Sequence, residues 1–216
     1  MSPRPRTVTD GSILAATARM ITRLGPGRLT LADVGTEVGL SPATLVQRFG
    51  SKRGLLLALV ARSVEDVAAQ FAAARVEYRS PLEAVLAVAA EFVAHARTPE
   101  ELANNLAFFQ IDLSDPDFHR LALEHSRRVR NGYRTLLDDA TAADELVSCD
   151  TGALASALQA VASGSLLNWA VHRDGAVAAW VRADIETLIA PYRRAPAPRR
   201  PVPSPASGAT GAARRR

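Results

Sequence analysis

A chain of 216 residues with 48% hydrophobic and 22% charged side chains has enough apolar material for a packed core, which excludes wholesale disorder. Its one cysteine, Cys149, excludes an internal disulfide framework and has no Cys or His beside it at metal-ligand spacing. The net charge of +4 hides an uneven layout: residues 1–62 carry nine Lys and Arg against three Asp and Glu, residues 63–192 ten against nineteen, and residues 193–216 seven against none. A basic head on an acidic body suits a head that meets a polyanion.

No stretch approaches the roughly 18 uninterrupted apolar residues of a membrane span, and the opening MSPRPRTVTDGS lacks the apolar core of an export signal. The expectation is a cytoplasmic protein without a membrane partner.

Helical spacing recurs along the chain and alternating strand pattern does not, so the sequence predicts an all-α fold. From about Thr9 to Leu24, Ile13, Ala16, Met20, Ile21 and Leu24 fall on one face, and Gly25-Pro26-Gly27 stops the helix. Thr30 stands at an N-cap position with Asp33 in the first turn; Leu31, Val34 and Val38 form a stripe that ends at Gly39. Ser41 is the next N-cap and Pro42 occupies the first helical position, with Leu45 and Phe49 inward one turn apart. A long helix over about 52–74 turns Leu56, Leu59, Val60, Val67 and Phe71 inward and joins two domains. Further helices are predicted near 81–97, 100–113, 117–142, 151–172 and 176–190. From Ala195 a Pro- and Arg-rich sequence with few large apolar residues reads as a disordered cationic tail. The division is a basic arm over 1–8, a three-helix unit over 9–52, a larger helical domain over 53–192, and the tail over 193–216.

The segment LTLADVGTEVGLSPATLVQRFGSKRGLL, residues 29–56, has the anatomy of a helix-turn-helix: two short amphipathic helices on a tight glycine turn, the second free to enter a major groove about 12 Å wide. Thr30, Leu31, Val34, Gly39, Ser41, Thr44, Leu45, Phe49, Ser51 and Lys52, followed by Leu55-Leu56, match the N-terminal signature of the TetR family in residue type and spacing, and the chain resembles that family over about residues 9–192. The resemblance implies a transcriptional regulator, a repressor that binds palindromic operator DNA as a dimer and is released by a small effector. It implies phosphate contacts from Thr30 and Thr44 and a closing cation at Lys52, the one lysine in the chain. Ser41 starts the recognition helix, whose outward positions are Pro42, Ala43, Gln47 and Val46, with Arg48 beside them. Gln47 suits adenine, Ala43 a thymine methyl, and Arg48 a phosphate or guanine. Relatives often carry aromatic or histidine residues where this chain has Val46, Gln47 and Arg48, which departs from the family's tyrosine contact. Arg4, Arg6 and Arg28 are basic additions suited to phosphate or to solubility.

The resemblance also implies a homodimer through the helices at about 151–172 and 176–190. Leu154, Leu158, Val161 and Ser165 line one face of the first, and Val177, Val181, Ile185 and Leu188 one face of the second, as either a dimer contact or core within one chain. The middle helices are expected to enclose an effector pocket with Phe92, His95, Asn105, Phe108, Phe109, Asp112, His125 and Trp169 as candidate lining, which suits a mostly apolar effector with one or two polar groups. No phosphate loop, HExxH or GxSxG occurs, so no enzyme, cofactor or metal is expected. Two rival readings stand beside this one: a constitutive DNA-binding protein without an effector, and a metal-dependent enzyme at Asp115, Asp117 and His119.

Overall fold

Each of the first eight helices begins where a side chain caps it. Thr9, Thr30, Ser41, Ser51, Ser80, Thr98, Asp115 and Asp150 each accept a backbone N–H from the turn that follows. The computed structural model describes residues 8–194; most of the basic arm, with Arg4 and Arg6, and the tail beyond Arg194 lie outside them. The described residues form nine α-helices and no strand: α1 (Asp10–Leu24), α2 (Leu31–Val38), α3 (Pro42–Phe49), α4 (Lys52–Glu77), α5 (Pro81–Val93), α6 (Pro99–Ser114), α7 (Pro116–Ala142), α8 (Thr151–His172) and α9 (Val177–Ile189). The all-α fold with an N-terminal helix-turn-helix and a helical second part is as the sequence predicts.

The clearest difference in helix length is at α5, which stops at Val93 rather than near residue 97. Ala94 and Ala96 donate to Glu91 and Val93, three residues back, and the Arg97 N–H is taken by the Glu101 carboxylate at 2.7 Å. Residues 95–98 thus serve the start of α6.

Two apolar clusters organise the chain. The first gathers Ile13, Met20, Ile21, Val34, Leu45 and Leu55 of the head with Val60 and Val64 of α4 and with Phe118 and Leu121 from the start of α7. The second joins Val67 and Phe71 of α4 to Leu86, Tyr133, Leu158, Val181 and Ile185. One 26-residue helix, about 39 Å long, therefore runs through both cores. Head and body share buried side chains well past residue 52.

Of the faces on α8 and α9 read as dimer contact or internal core, Leu154, Leu158, Ser165, Val177, Val181 and Ile185 are buried within this chain. What points outward is smaller: Ala153 and Ala160 on α8, then Leu167 and Val171, and Ala179, Ala183 and Thr187 on α9. By length and composition α8 is apolar enough to cross a membrane, yet only 28% of its apolar window is buried within the chain. The last described residues are tied back where Val147 donates to the Tyr192 carbonyl at 2.8 Å and Arg194 to that of Glu145 at 2.9 Å.

Candidate functional site

The turn between α2 and α3 is built around a close backbone approach. A Cβ on Gly35 would lie 2.5 Å from the Leu40 carbonyl oxygen, and Leu40 donates to the Gly35 carbonyl at 2.8 Å. Only glycine lets the chain leave α2 this tightly. Leu45 is fully buried beneath α3, which leaves Pro42, Ala43, Val46 and Gln47 exposed on its outer side. Ser41 caps α3 through the Thr44 N–H at 3.1 Å, and its hydroxyl lies 2.9 Å from that of Thr44. Thr30 is held in a capping box: its hydroxyl accepts the Asp33 N–H at 3.1 Å, while its own O–H and N–H donate to the Asp33 carboxylate at 2.6 and 2.9 Å. Those two donors keep the Asp33 carboxyl below its ordinary range.

Charge around this surface is selectively neutralised. Arg19 and Arg23 lie 3.6 and 3.9 Å from Glu37. Arg48 donates to the Val8 carbonyl at 2.8 Å and pairs with Asp10 at 3.1 Å, so its guanidinium is occupied holding the start of α1 against the recognition helix. Arg53 forks onto Asp115 and Asp117, both at 2.8 Å, and lies over the Phe118 ring. Asp115 and Asp117 therefore serve as helix cap and ion pair, and among the described residues no three His, Cys, Asp or Glu are placed to hold a metal. Arg28 and Lys52 have no carboxylate partner among the described residues; Arg28 bonds the Leu24 carbonyl at 2.8 Å and Lys52 that of Gly27 at 3.4 Å. Two cations beside an exposed, mostly uncharged helix face are the arrangement a phosphate backbone requires.

The profile of the family described as bacterial regulatory proteins, tetR family, matches residues 13–59, which span α1 to the start of α4. Over those residues the chain is similar to the TetR family. It is 29% identical over 145 residues to the HTH-type transcriptional regulator BetI of Agrobacterium fabrum, covering 67% of this chain and 70% of that protein. Against the BetI of Brucella anthropi it is 27% identical over 179 residues, covering 82% and 90%. The fold is similar to a TetR-family regulator of Cytophaga hutchinsonii, with a TM-score of 0.68 at 17% identity over 89% of this chain and 98% of that one. It is also similar to a transcriptional regulator of Saccharomonospora viridis in complex with choline, with a TM-score of 0.66 at 19% identity over 84% and 95%. These likenesses are all to transcriptional regulators.

Two of the cavities among the described residues hold candidate pocket residues, and of the remaining candidates Phe92 and Trp169 belong to the core. One, of about 700 Å³, opens between α1 and the α5–α6 segment and is lined by His95, Asn105 and Phe108. Thr22 donates its hydroxyl to Asn105 across it at 3.2 Å. The other, of about 590 Å³, is bounded by α4, α6, α7 and α8 and is lined by Phe109 and His125. Burial lowers the pKa of both histidines. Phe92 and Trp169 line neither cavity. Phe92 sits among Phe71, Tyr133 and His125, and Trp169 is buried with its indole N–H on the Gly175 carbonyl at 3.0 Å, closing the α8–α9 turn. Asp112 is half-buried and lines neither cavity; one carboxylate oxygen has no partner, and burial pushes its pKa up to about 6.

Sequence reasoning missed the polar wall of the second cavity: Ser63 of α4, Ser126 and Arg130 of α7, and Ser156, Gln159 and Ser163 of α8. A signal was present on α8, where Gln159 and Ser163 stand one turn apart among apolar neighbours, whereas on α7 Ser126 and Arg130 are hidden in the polar run EHSRRVRNG.

Proposed function

We propose that the chain is a dimeric repressor that places two copies of α3 in successive major grooves of a palindromic operator and leaves it when a small molecule occupies the cavity between α4, α6, α7 and α8. The observation that carries this reading is the exposed face of α3 (Pro42, Ala43, Val46 and Gln47) flanked by Arg28 and Lys52, the two head cations with no carboxylate partner among the described residues. Gln47 reads a base edge and Ala43 meets a methyl group. Lys52 and Arg28 hold phosphates. Because Thr30 and Thr44 spend their hydroxyls on capping, their contribution to phosphate contact is mainly to fix the helix ends.

The dimer forms through the outward faces of α8 and α9. Alanine at 153, 179 and 183 lets two helix pairs approach closely, and Val171, 80% exposed, and Leu167, 47% exposed, need covering. Two-fold symmetry then sets the recognition helices about 34–36 Å apart.

Effector release runs through α4, whose first half lies in the head core and whose Val60 and Ser63 line the cavity. A hundredfold loss of operator affinity requires a preference of only about 2.7 kcal/mol for the wrongly spaced state. The choline in the Saccharomonospora viridis protein supports a small-molecule site within this fold. Sedimentation velocity with operator binding on the same samples tests the reading: the wild type runs as a dimer that binds cooperatively, and Ala183→Arg runs as a folded monomer with operator binding lost. A wild-type monomer that binds a single half-site contradicts it.

A further inference from the structure

The cavity between α4, α6, α7 and α8 has one charged side chain in its wall, Arg130, and no Asp or Glu. On α7 Arg128 pairs with Glu124 at 2.6 Å and Arg134 with Asp138 at 3.8 Å, each four residues away, whereas Arg127, which lines no part of this cavity, has no carboxylate partner among the described residues. Arg130 has no such option: one turn to either side it meets Ser126, Arg127, Tyr133 and Arg134. Among the described residues it has no carboxylate partner.

Polar groups gather beside it. Ser126, one turn earlier on α7, accepts from the Gln159 amide at 3.1 Å, which leaves the serine hydroxyl hydrogen available to donate into the cavity. Val60, Ala122 and Phe109 supply the apolar wall. His125 adds no second charge at neutral pH, because burial holds its pKa below the ordinary imidazole value.

We infer that this cavity takes an amphipathic carboxylate, its anionic head on Arg130 and Ser126 and its hydrocarbon body against Val60, Ala122 and Phe109. The inference rests on the reading of this cavity as the effector site and adds the chemical class. A volume of about 590 Å³ suits such a molecule. A cation is disfavoured twice. It would sit beside the exposed Arg130 guanidinium with no anion in the wall. The wall offers it one phenyl ring, that of Phe109, because Phe71, Phe92 and Tyr133 pack on one another outside the lining, with centroids 5.1 to 6.5 Å apart.

The test is calorimetric titration of the full chain with octanoate and 3-phenylpropionate, with their primary amides as neutral isosteres, and with choline as a cationic probe, in wild type and Arg130→Gln. At least one carboxylate binds the wild type about tenfold or more tighter than its amide, and Arg130→Gln removes that preference while leaving amide binding and the melting temperature of the free protein unchanged. Equal binding of acid and amide, a preference that survives in Arg130→Gln, tighter binding of choline, or no binding of either acid at millimolar concentration overturns the inference. Operator release is measured separately. An acid that binds through Arg130 without releasing DNA upholds the chemical class and sinks the effector role, whereas release by amide or choline equally from both proteins does the reverse.

Discussion

Asn104 of α6 donates from its side-chain amide to two carbonyls in the last turn of α1, those of Thr22 at 2.9 Å and Arg23 at 3.2 Å. A helix end leaves such carbonyls without intrahelical partners, so the second domain caps a helix of the head. Arg53 with Asp115 and Asp117 makes a second link, between the first turn of α4 and the start of α7. Helices α6 and α7 thereby hold the head at the end of α1 and at the start of α4.

Removing the Asn104 amide should loosen this link. Asn104→Ala is expected to cost about 1 kcal/mol of stability in urea unfolding and to shrink the effect of effector on operator affinity. Asn104→Asp should cost more, because a carboxylate then faces carbonyl oxygens at the negative end of α1. If Asn104→Asp is as stable as wild type, the cap is not as described.

The same clasp fixes the residue opposite it. Gly25 has φ +76°, and a Cβ there would lie 2.8 Å from Asn104 Oδ1. Gly25→Ala is expected to destabilise by about 1–3 kcal/mol from the backbone conformation and the contact together. Gly27→Ala, where a Cβ meets nothing within 4 Å, should be close to neutral in the same denaturation series.

On DNA, Lys52→Ala should weaken binding to every sequence and lower the salt slope by about 1, with little change in melting temperature. Gln47→Ala should act differently, relaxing preference at one base pair per half-site by about 1–3 kcal/mol and leaving the salt slope alone. Anisotropy titrations at several salt concentrations separate the two, and identical behaviour of both variants would reject the assigned roles.

Asp112 gives a pH prediction with a definite sign. Its folded pKa is raised by burial to about 6, above the ordinary carboxylate value of 3.8, so the folded state keeps its proton longer than the unfolded chain does. Its contribution is most favourable below about pH 4, is lost as pH rises to about 6, and stays low above that. Asp112→Asn should therefore stabilise the protein at pH 7 by about 1 kcal/mol, after solvent screening of a half-buried group, and the gain should shrink toward pH 4.5. A gain that grows on acidification would show the carboxylate to be stabilised by the fold instead.

Much of this was legible in the sequence because helix ends are written locally. Ser41-Pro42 and Asp115-Pro116 mark the starts of α3 and α7, and Gly39 the end of α2, through caps that need no distant partner. Partnership across space was not legible. Periodicity puts Leu158 and Val181 on apolar faces but cannot say that those faces meet in one chain while Ala160 and Ala183 look outward. Arg48 stands at an outward position of α3, yet its use is decided by Val8 and Asp10, nearly forty residues away in sequence. Phe92 and Trp169 looked like pocket residues because aromatic spacing is the same in a core and in a cavity wall.

The most direct test of the central claim is footprinting on fragments selected from the source genome by the full chain. Protection is expected over a two-fold symmetric site whose half-sites are centred about 34–36 Å apart, with the same sequences recovered more weakly by Lys52→Ala and the preference altered at one base pair per half-site for Gln47→Ala. Protection without two-fold symmetry, or the same enriched sequences for wild type and Gln47→Ala, would contradict it.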